Sequence, residues 1–370
     1  MKSRLIDRLE SRIADAKVES ERDRFIAQRA ALLARAGQIA AARDEIAALR
    51  QKYASSGSAE LTILINIADG LGHYFEDMGP QAEDRFRRAL MLARAIQDQE
   101  LAAHAASWLA LVHYGAYRFS DMARLLDESL CTVEIRNSET LARFSLTIAQ
   151  TFHLANRFDI ALSWYRRTQR YASLIEDEMM LSALMHNMAS IWAANARNAL
   201  LGGPSTSDES SQALLGTLST LNFDEMVGLS GLSVFTPLLQ AQILSLEKRY
   251  VEAQRLYARY HGSFNLHAVP GWQAWLAVDR GWCELQIGNS HVARSLFEDA
   301  NLRLSSDLHV DDRAATLARL AQGFEALGES SVSESLQLQA AKCWGEFALL
   351  QKSMLRTMTT SPGVTRLHKS

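Results

Sequence analysis

Proline, cysteine and long apolar runs are all scarce in this 370-residue chain, and each shortage excludes something. The five prolines are Pro80, Pro204, Pro237, Pro270 and Pro362, and none interrupts a well-defined apolar helical run. A proline inside a helix would cost about 3 kcal/mol. The three cysteines, Cys131, Cys283 and Cys343, are odd in number and far apart. No CxxC or Cys/His spacing accompanies them, so neither a disulfide framework nor a zinc site is indicated. No apolar stretch approaches the roughly 18 residues of a membrane span, so no membrane partner is expected. The N-terminus, MKSRLIDRLESRIADAK, is charged throughout and lacks a signal-peptide core, which points to a cytoplasmic, bacterial-type protein.

Catalytic signatures are missing as well. There is no HExxH, no glycine-rich phosphate loop after a strand and no nucleophile elbow. GLSGLS (228–233) has glycines but neither a preceding strand nor a lysine. His104 and His113 share a helix without the i, i+4 spacing of metal ligands. The acidic runs Asp311-Asp312 and Glu176-Asp177-Glu178 fall at expected helix starts, where the helix dipole accounts for them. The expectation is therefore a protein without enzymatic activity, cofactor or metal.

What the chain has is helix-forming apolar sequence. Hydrophobic residues make up 48%, Ala, Leu, Arg, Glu and Gln dominate, and β-branched runs are rare, so the fold class is all-α. The net charge of −3 is unevenly spread. Residues 1–52 hold 12 basic against 8 acidic residues and 342–370 hold 5 against 1, which leaves −11 for the middle. An acidic body argues against nucleic acid, whose binding requires phosphate neutralisation, and permits a neutral or basic protein partner.

Seven small or apolar residues mark a period: Ala42, Ala82, Met122, Ala161, Ala253, Ala293 and Ser333, at steps of 40, 40, 39, 92, 40 and 40. About five residues before each stands a turn residue: Gly37, Asp77, Tyr117, Asn156, Lys248, Gly288 and Gly328. Four and seven residues after come partners on the same helix face, such as Tyr257 and Tyr260 or Phe297 and Ala300. A fixed period of this size is that of stacked helical hairpins. The clearest units are 142–173, 238–260 and 274–304.

Between Ala161 and Ala253 lies one degenerate unit, whose first helix ends at GGPSTSDESS (202–211). Turn formers without an apolar anchor make this loop the expected mobile point of the chain. The organisation is read as a capping helix over 1–20 and an N-terminal sub-stack over 21–201. The degenerate unit with its mobile loop covers 202–233 and a second sub-stack 234–345. A terminal helix with a loose tail takes 346–370.

These units resemble tetratricopeptide repeats, and the pattern of large residue, small residue, Gly/Asn turn, then Ala, aromatic and Ala holds across roughly 25–345. A period near 40 instead of that family's 34 is similar to the long-period repeats of bacterial signalling regulators. The resemblance implies a right-handed α-solenoid of about seven to eight antiparallel hairpins. It also implies that the first helix of each unit lines a concave groove. Placed there are Arg143, Thr147, Gln150, His153, His186, Asn187, Gln242, Trp275, Asp279 and Trp282. The polar members suit hydrogen bonds to a peptide backbone and the tryptophans suit apolar anchors, although a spacing of seven also suits core packing. The family's basic clamp for carboxylates is approached only by Arg143 and Asn187.

The expected function is a non-catalytic scaffold binding a protein or peptide in that groove. The alternative is the sensory or regulatory module of a bacterial signalling system, either a peptide receptor or a relative of repeat regions joined to a cyclase or DNA-binding output domain. A homodimer through the terminal helices is a further possibility.

Overall fold

The computed structural model describes residues 3–54, 58–77, 79–132, 135–204, 235–260, 272–305 and 308–369. Among them are seventeen helices and no strand. Helix α1 is Arg4–Asp15. Hairpins follow as α2 (Glu19–Arg35) with α3 (Ile39–Lys52), α4 (Ala59–Asp77) with α5 (Pro80–Ala95), α6 (Gln99–Gly115) with α7 (Phe119–Thr132), and α8 (Ser138–Leu154) with α9 (Phe158–Leu174). After α10 (Glu178–Leu200) come α11 (Thr236–Leu246) with α12 (Tyr250–Tyr260), α13 (Trp272–Gln286) with α14 (Ser290–Arg303), and α15 (Val310–Ala326) with α16 (Ser330–Thr360). Helix α17 is Pro362–Lys369. None of the described helices is long and apolar enough to cross a membrane.

The period has a backbone cause. Gly37, Tyr117, Asn156, Lys248, Gly288 and Gly328 all adopt positive φ, between 56° and 91°. The following residue donates its N–H back over the turn, as in Gln38 to the Leu33 carbonyl, Arg157 to Phe152 and Glu329 to Phe324, at 2.8–2.9 Å. This is the left-handed helix stop that caps otherwise orphaned carbonyls. At Tyr117, Asn156 and Lys248 the conformation is held although a side chain disfavours it by about 1–2 kcal/mol. The seventh turn residue, Asp77, is the last residue of α4.

Packing repeats with the turns. Ala42, Met122, Ala161, Ala253, Ala293 and Ser333 are wholly buried, and Ala82 nearly so. A small residue on the first helix stands sixteen positions before a large one, as Gly70 before Phe86, Ala149 before Tyr165, Ala241 before Tyr257 and Gly281 before Phe297, and the two glycines lie directly against their rings. A Cβ on Gly281 would lie 2.7 Å from the Phe297 ring, and one on Gly323 of the next unit 2.4 Å from the same ring. Phe297 is thus clasped between consecutive hairpins, and only glycine admits that approach.

The stack curls until distant units meet. The C-terminal end of α2 reaches the starts of α8 and α10, where buried Arg35 holds Asp177 through two bonds of 2.7 and 2.8 Å and Glu139 at 3.0 Å. The end of α6 reaches the start of α15. Helix α16 returns onto α7 and α8, with Gln351 donating to the Leu154 carbonyl at 2.8 Å and Trp344 to the Leu201 carbonyl at 3.1 Å. Helix α1 packs on α2 and extends to the start of α10, where Ser3 donates to Glu178 at 3.1 Å.

The loose tail expected after residue 360 is a correction. Residues 362–369 form α17, which packs on α7. Ser361 anchors it to Asp127 at 2.5 Å, and Val364 and Leu367 are buried. The apolar pair three apart, behind a proline suited to a helix start, is what makes the segment helical. Of the expected mobile loop 202–211, only Gly202, Gly203 and Pro204 are described. The remainder and the rest of the degenerate unit lie outside the described residues, as do 55–57 of the SSGS break.

Candidate functional site

The first helices α4, α6, α8 and α10, with α11, α13 and α15 opposite, surround a cavity of about 380 Å³. That volume falls in the range of ligand sites, roughly 300–1,000 Å³. Arg143, Gln150, His186, Asn187, Gln242 and Trp275 line it. The structure therefore brings six of the ten candidate residues to one cavity.

The other four are placed elsewhere, and each has a packing role. Thr147 is fully buried and returns its hydroxyl to the Arg143 carbonyl at 3.1 Å. His153 is buried against Phe158 and Trp192 and shares a 3.0 Å hydrogen bond with Tyr165. Asp279 is the buried partner of Arg197 at 3.2 Å. Trp282 lies under the Arg319 guanidinium, 4.6 Å from it. In a stack this strongly curled, only part of each inner helix face meets the cavity, and the rest packs against the neighbouring unit.

Several wall residues escaped the sequence pattern. Tyr74 and Trp108 sit beside Arg143, whose guanidinium lies 3.1 Å from the Trp108 ring centroid. Phe86 stacks on Trp108 at 5.9 Å and fixes the ring. At the opposite end, Tyr117 donates its hydroxyl to both oxygens of Asp311 at 3.0 Å and stacks on His309 with centroids 3.9 Å apart. Asp311 and Asp312 do occupy the first turn of α15, as their helix-start reading required, but they also form part of the cavity wall. Trp272, in contact with Phe235 and Trp275, completes an aromatic lip.

The electrostatics are those of charges held away from water. Burial, aided by Arg35, pulls Arg143 down to about 9, while Glu139 and Asp177 oppose the shift. Burial pushes the Asp311 carboxyl up to about 7, aided by Asp312 and opposed by the Tyr117 hydrogen bond. Burial alone pulls His186 down to about 4, so it is neutral at physiological pH. Five atoms on residues lining the cavity are buried without a hydrogen-bond partner: Trp108 Nε1, Arg143 Nε, Gln150 Oε1, His186 Nδ1 and Trp275 Nε1. Leaving a buried polar atom unpaired costs about 1–3 kcal/mol, and on a cavity wall a ligand can supply the missing partner. No cluster of metal-ligating side chains occurs among the described residues.

No protein-family model and no curated protein sequence matches the chain. Among solved structures, the crystal structure of a Rap protein complexed with competence and sporulation factor is similar over 93% of this chain and 92% of that one. Its TM-score is 0.55 and its identity 14%. The apo form of RapI aligns over 96% of this chain and 92% of that one, with 11% identity and a TM-score of 0.44. The first likeness shows a shared fold, a tetratricopeptide-like solenoid of helical repeats.

Proposed function

We propose that this protein is a non-catalytic peptide receptor, a regulatory solenoid of a bacterial signalling system that holds its ligand in the cavity between α8, α10 and α15. The observation that carries the reading is the set of unpartnered polar atoms on Gln150, His186 and Trp275 along one aromatic-walled cavity. An extended peptide backbone alternates donors and acceptors and would satisfy such atoms in turn, while its side chains pack against Trp108, Trp272 and Trp275. A similarly folded Rap protein is complexed with competence and sporulation factor, which supports ligand binding as the use of the fold.

A regulatory output is favoured by one contact. Leu154 lines the cavity, and its carbonyl receives the Gln351 amide from the long helix α16. Occupancy of the groove would therefore be felt at the C-terminal helices.

The test is a thermal-shift screen of the purified chain against pools of short synthetic peptides. A pool present at a hundred times its Kd should add about 2.7 kcal/mol to the unfolding free energy. If no pool raises the melting temperature, the peptide reading is wrong.

A further inference from the structure

The charges on the cavity wall are segregated. The charged side chains lining it are Arg35, Arg143, Asp311 and Asp312. The arginines sit where the end of α2 meets α8, and the aspartates where α15 begins, against the end of α6. Charges acting on Arg143 come from Arg35, Glu139 and Asp177, whereas Asp311 feels Asp312, so neither end neutralises the other. The rest of the lining is uncharged, including the rings of Trp108, Tyr114 and Tyr117 and the neutral His186.

At the basic end two carboxylates, Glu139 and Asp177, serve two guanidiniums, so what is left open there is a hydrogen bond; at the acidic end it is charge. Arg143 is 4% exposed, shares Glu139 with Arg35 at 3.4 Å, and leaves its Nε without a partner. Asp311 is also 4% exposed and receives the Tyr117 hydroxyl, and no cation pairs with it among the described residues. Asp312 is drawn upon by Arg197, but Arg197 already serves Asp279. A buried charge without its counter-charge is unfavourable by several kcal/mol, which a ligand of opposite sign would relieve. Gln150 and His186, both more than nine-tenths buried with an unpartnered atom, lie on the same wall.

We infer that the groove selects a bipolar peptide, its carboxylate held by Arg143 and its cationic group held by Asp311 and Asp312. This rests on the peptide-receptor reading and adds polarity to it. The shared chemistry is an anion at one end and a cation at the other. The anion can be a C-terminal carboxylate or an acidic side chain, and the cation an N-terminal amine or a basic side chain. Complementary charge of this kind contributes mostly to selectivity between ligands.

The experiment uses the full chain and titrates unlabelled short-peptide pools against the intrinsic fluorescence of the groove tryptophans. The reference pool carries an N-terminal Lys, neutral residues after it, and free termini. Other pools acetylate the amine, replace Lys with Ala, do both, amidate the C-terminus, or end in a C-terminally amidated Glu that keeps its side-chain carboxylate; a last pool is acetylated, carries Ala for Lys and is amidated, so that it is fully neutralised. Removing all cationic groups or all anionic groups should weaken binding about tenfold or more. Comparison of the single changes identifies which amine and which carboxylate is read. Asp311→Asn should abolish the preference for cationic pools, and Arg143→Gln the preference for free carboxylates, each folded variant being verified by circular dichroism. If the neutralised pool binds within about threefold of the reference, the bipolar reading fails while the peptide receptor stands. If no pool binds, the receptor reading itself has failed.

Discussion

Tyr117 and Asp311 lie 194 residues apart, yet the tyrosine hydroxyl sits 3.0 Å from both carboxylate oxygens. The bond ties the end of α6 to the start of α15 and so closes the superhelix around its cavity. Tyr117→Phe removes this donor from a buried carboxylate, and hydrogen bonds to charged groups are worth about 1.5–3 kcal/mol. The loss of stability in urea should therefore be larger at pH 8, where Asp311 is ionised, than at pH 5, where it is protonated. Equal losses at both would show that the contact is steric only.

The shift of Asp311 sets the sign of a pH effect. Its folded-state pKa is raised to about 7 from 3.8, so through that window the folded chain keeps a proton that the unfolded chain has lost. Its contribution to stability is present at low pH and is lost as pH rises towards 7, by at most about 1.4 kcal/mol per pH unit. His186, lowered to about 4 by burial, acts in the opposite sense below its ordinary 6.5. The two partly cancel in the wild type. Asp311→Asn keeps an acceptor for Tyr117 but removes one of the opposed contributions, so its stability relative to wild type should increase between pH 4.5 and 7. A constant difference across that range would mean that Asp311 is ionised throughout.

Two glycines of the first helices separate packing from helix propensity. In Gly281→Ala the new methyl would meet the Phe297 ring at 2.7 Å, whereas Gly72→Ala in α4 meets nothing within 4 Å. Overpacking should make the first variant less stable by about 1–3 kcal/mol. The second should be neutral to stabilising by up to about 1 kcal/mol, since alanine is the better helix former. Thermal unfolding of the pair decides it, and similar melting temperatures would show that the clasp around Phe297 yields freely.

Much of the architecture was legible because each hairpin obeys the same local rule. The small residue, the left-handed turn and the facing large side chain are all set within one repeat, as in Ala149, Asn156, Ala161 and Tyr165. A minor part of the cavity wall followed from the same register, since Arg143, Gln150, His186, Asn187, Gln242 and Trp275 project from first helices. Asp311 did not follow. It occupies the same place in its helix as Glu60, Glu100 and Glu139, each in a first turn where the helix dipole suffices to explain an acid. What distinguishes it is Tyr117, brought there by the curl of the whole stack. Curl is the sum of small rotations between units and leaves no mark on a single repeat. The same global geometry turned Asp279 towards Arg197 and gave residues 362–369 a surface on α7 to fold against.

Asp279 and Arg197 form a pair whose role is structural. Both are buried, at 4% and 2% exposure, and 3.2 Å apart. Asp279→Ala removes the guanidinium's ion-pair partner and leaves only the Asp312 carboxyl acting on it among the described residues, and breaking such a buried pair typically costs about 3–5 kcal/mol. The double change Arg197→Met with Asp279→Leu removes both charges and should recover most of the loss. Urea unfolding of the three proteins completes a cycle, and a double variant as unstable as the single would show that the pair matters for more than its mutual charge.

The groove and the outer face can be separated by paired substitutions. Arg143 and Asn187 line the cavity, whereas Arg166 and Arg170 are exposed on α9, a second helix of its hairpin. Once a binding peptide is in hand from the peptide screen, Arg143→Ala with Asn187→Ala should weaken it by roughly 2 kcal/mol or more, since binding energy concentrates in a few buried contacts. Arg166→Ala with Arg170→Ala should leave affinity unchanged, because exposed side chains remote from the cavity contribute only weak, salt-screened attraction. Isothermal titration of both doubles, each with an intact helical spectrum, distinguishes the surfaces. Binding abolished by the α9 double and untouched by the groove double would place the ligand on the outside of the superhelix.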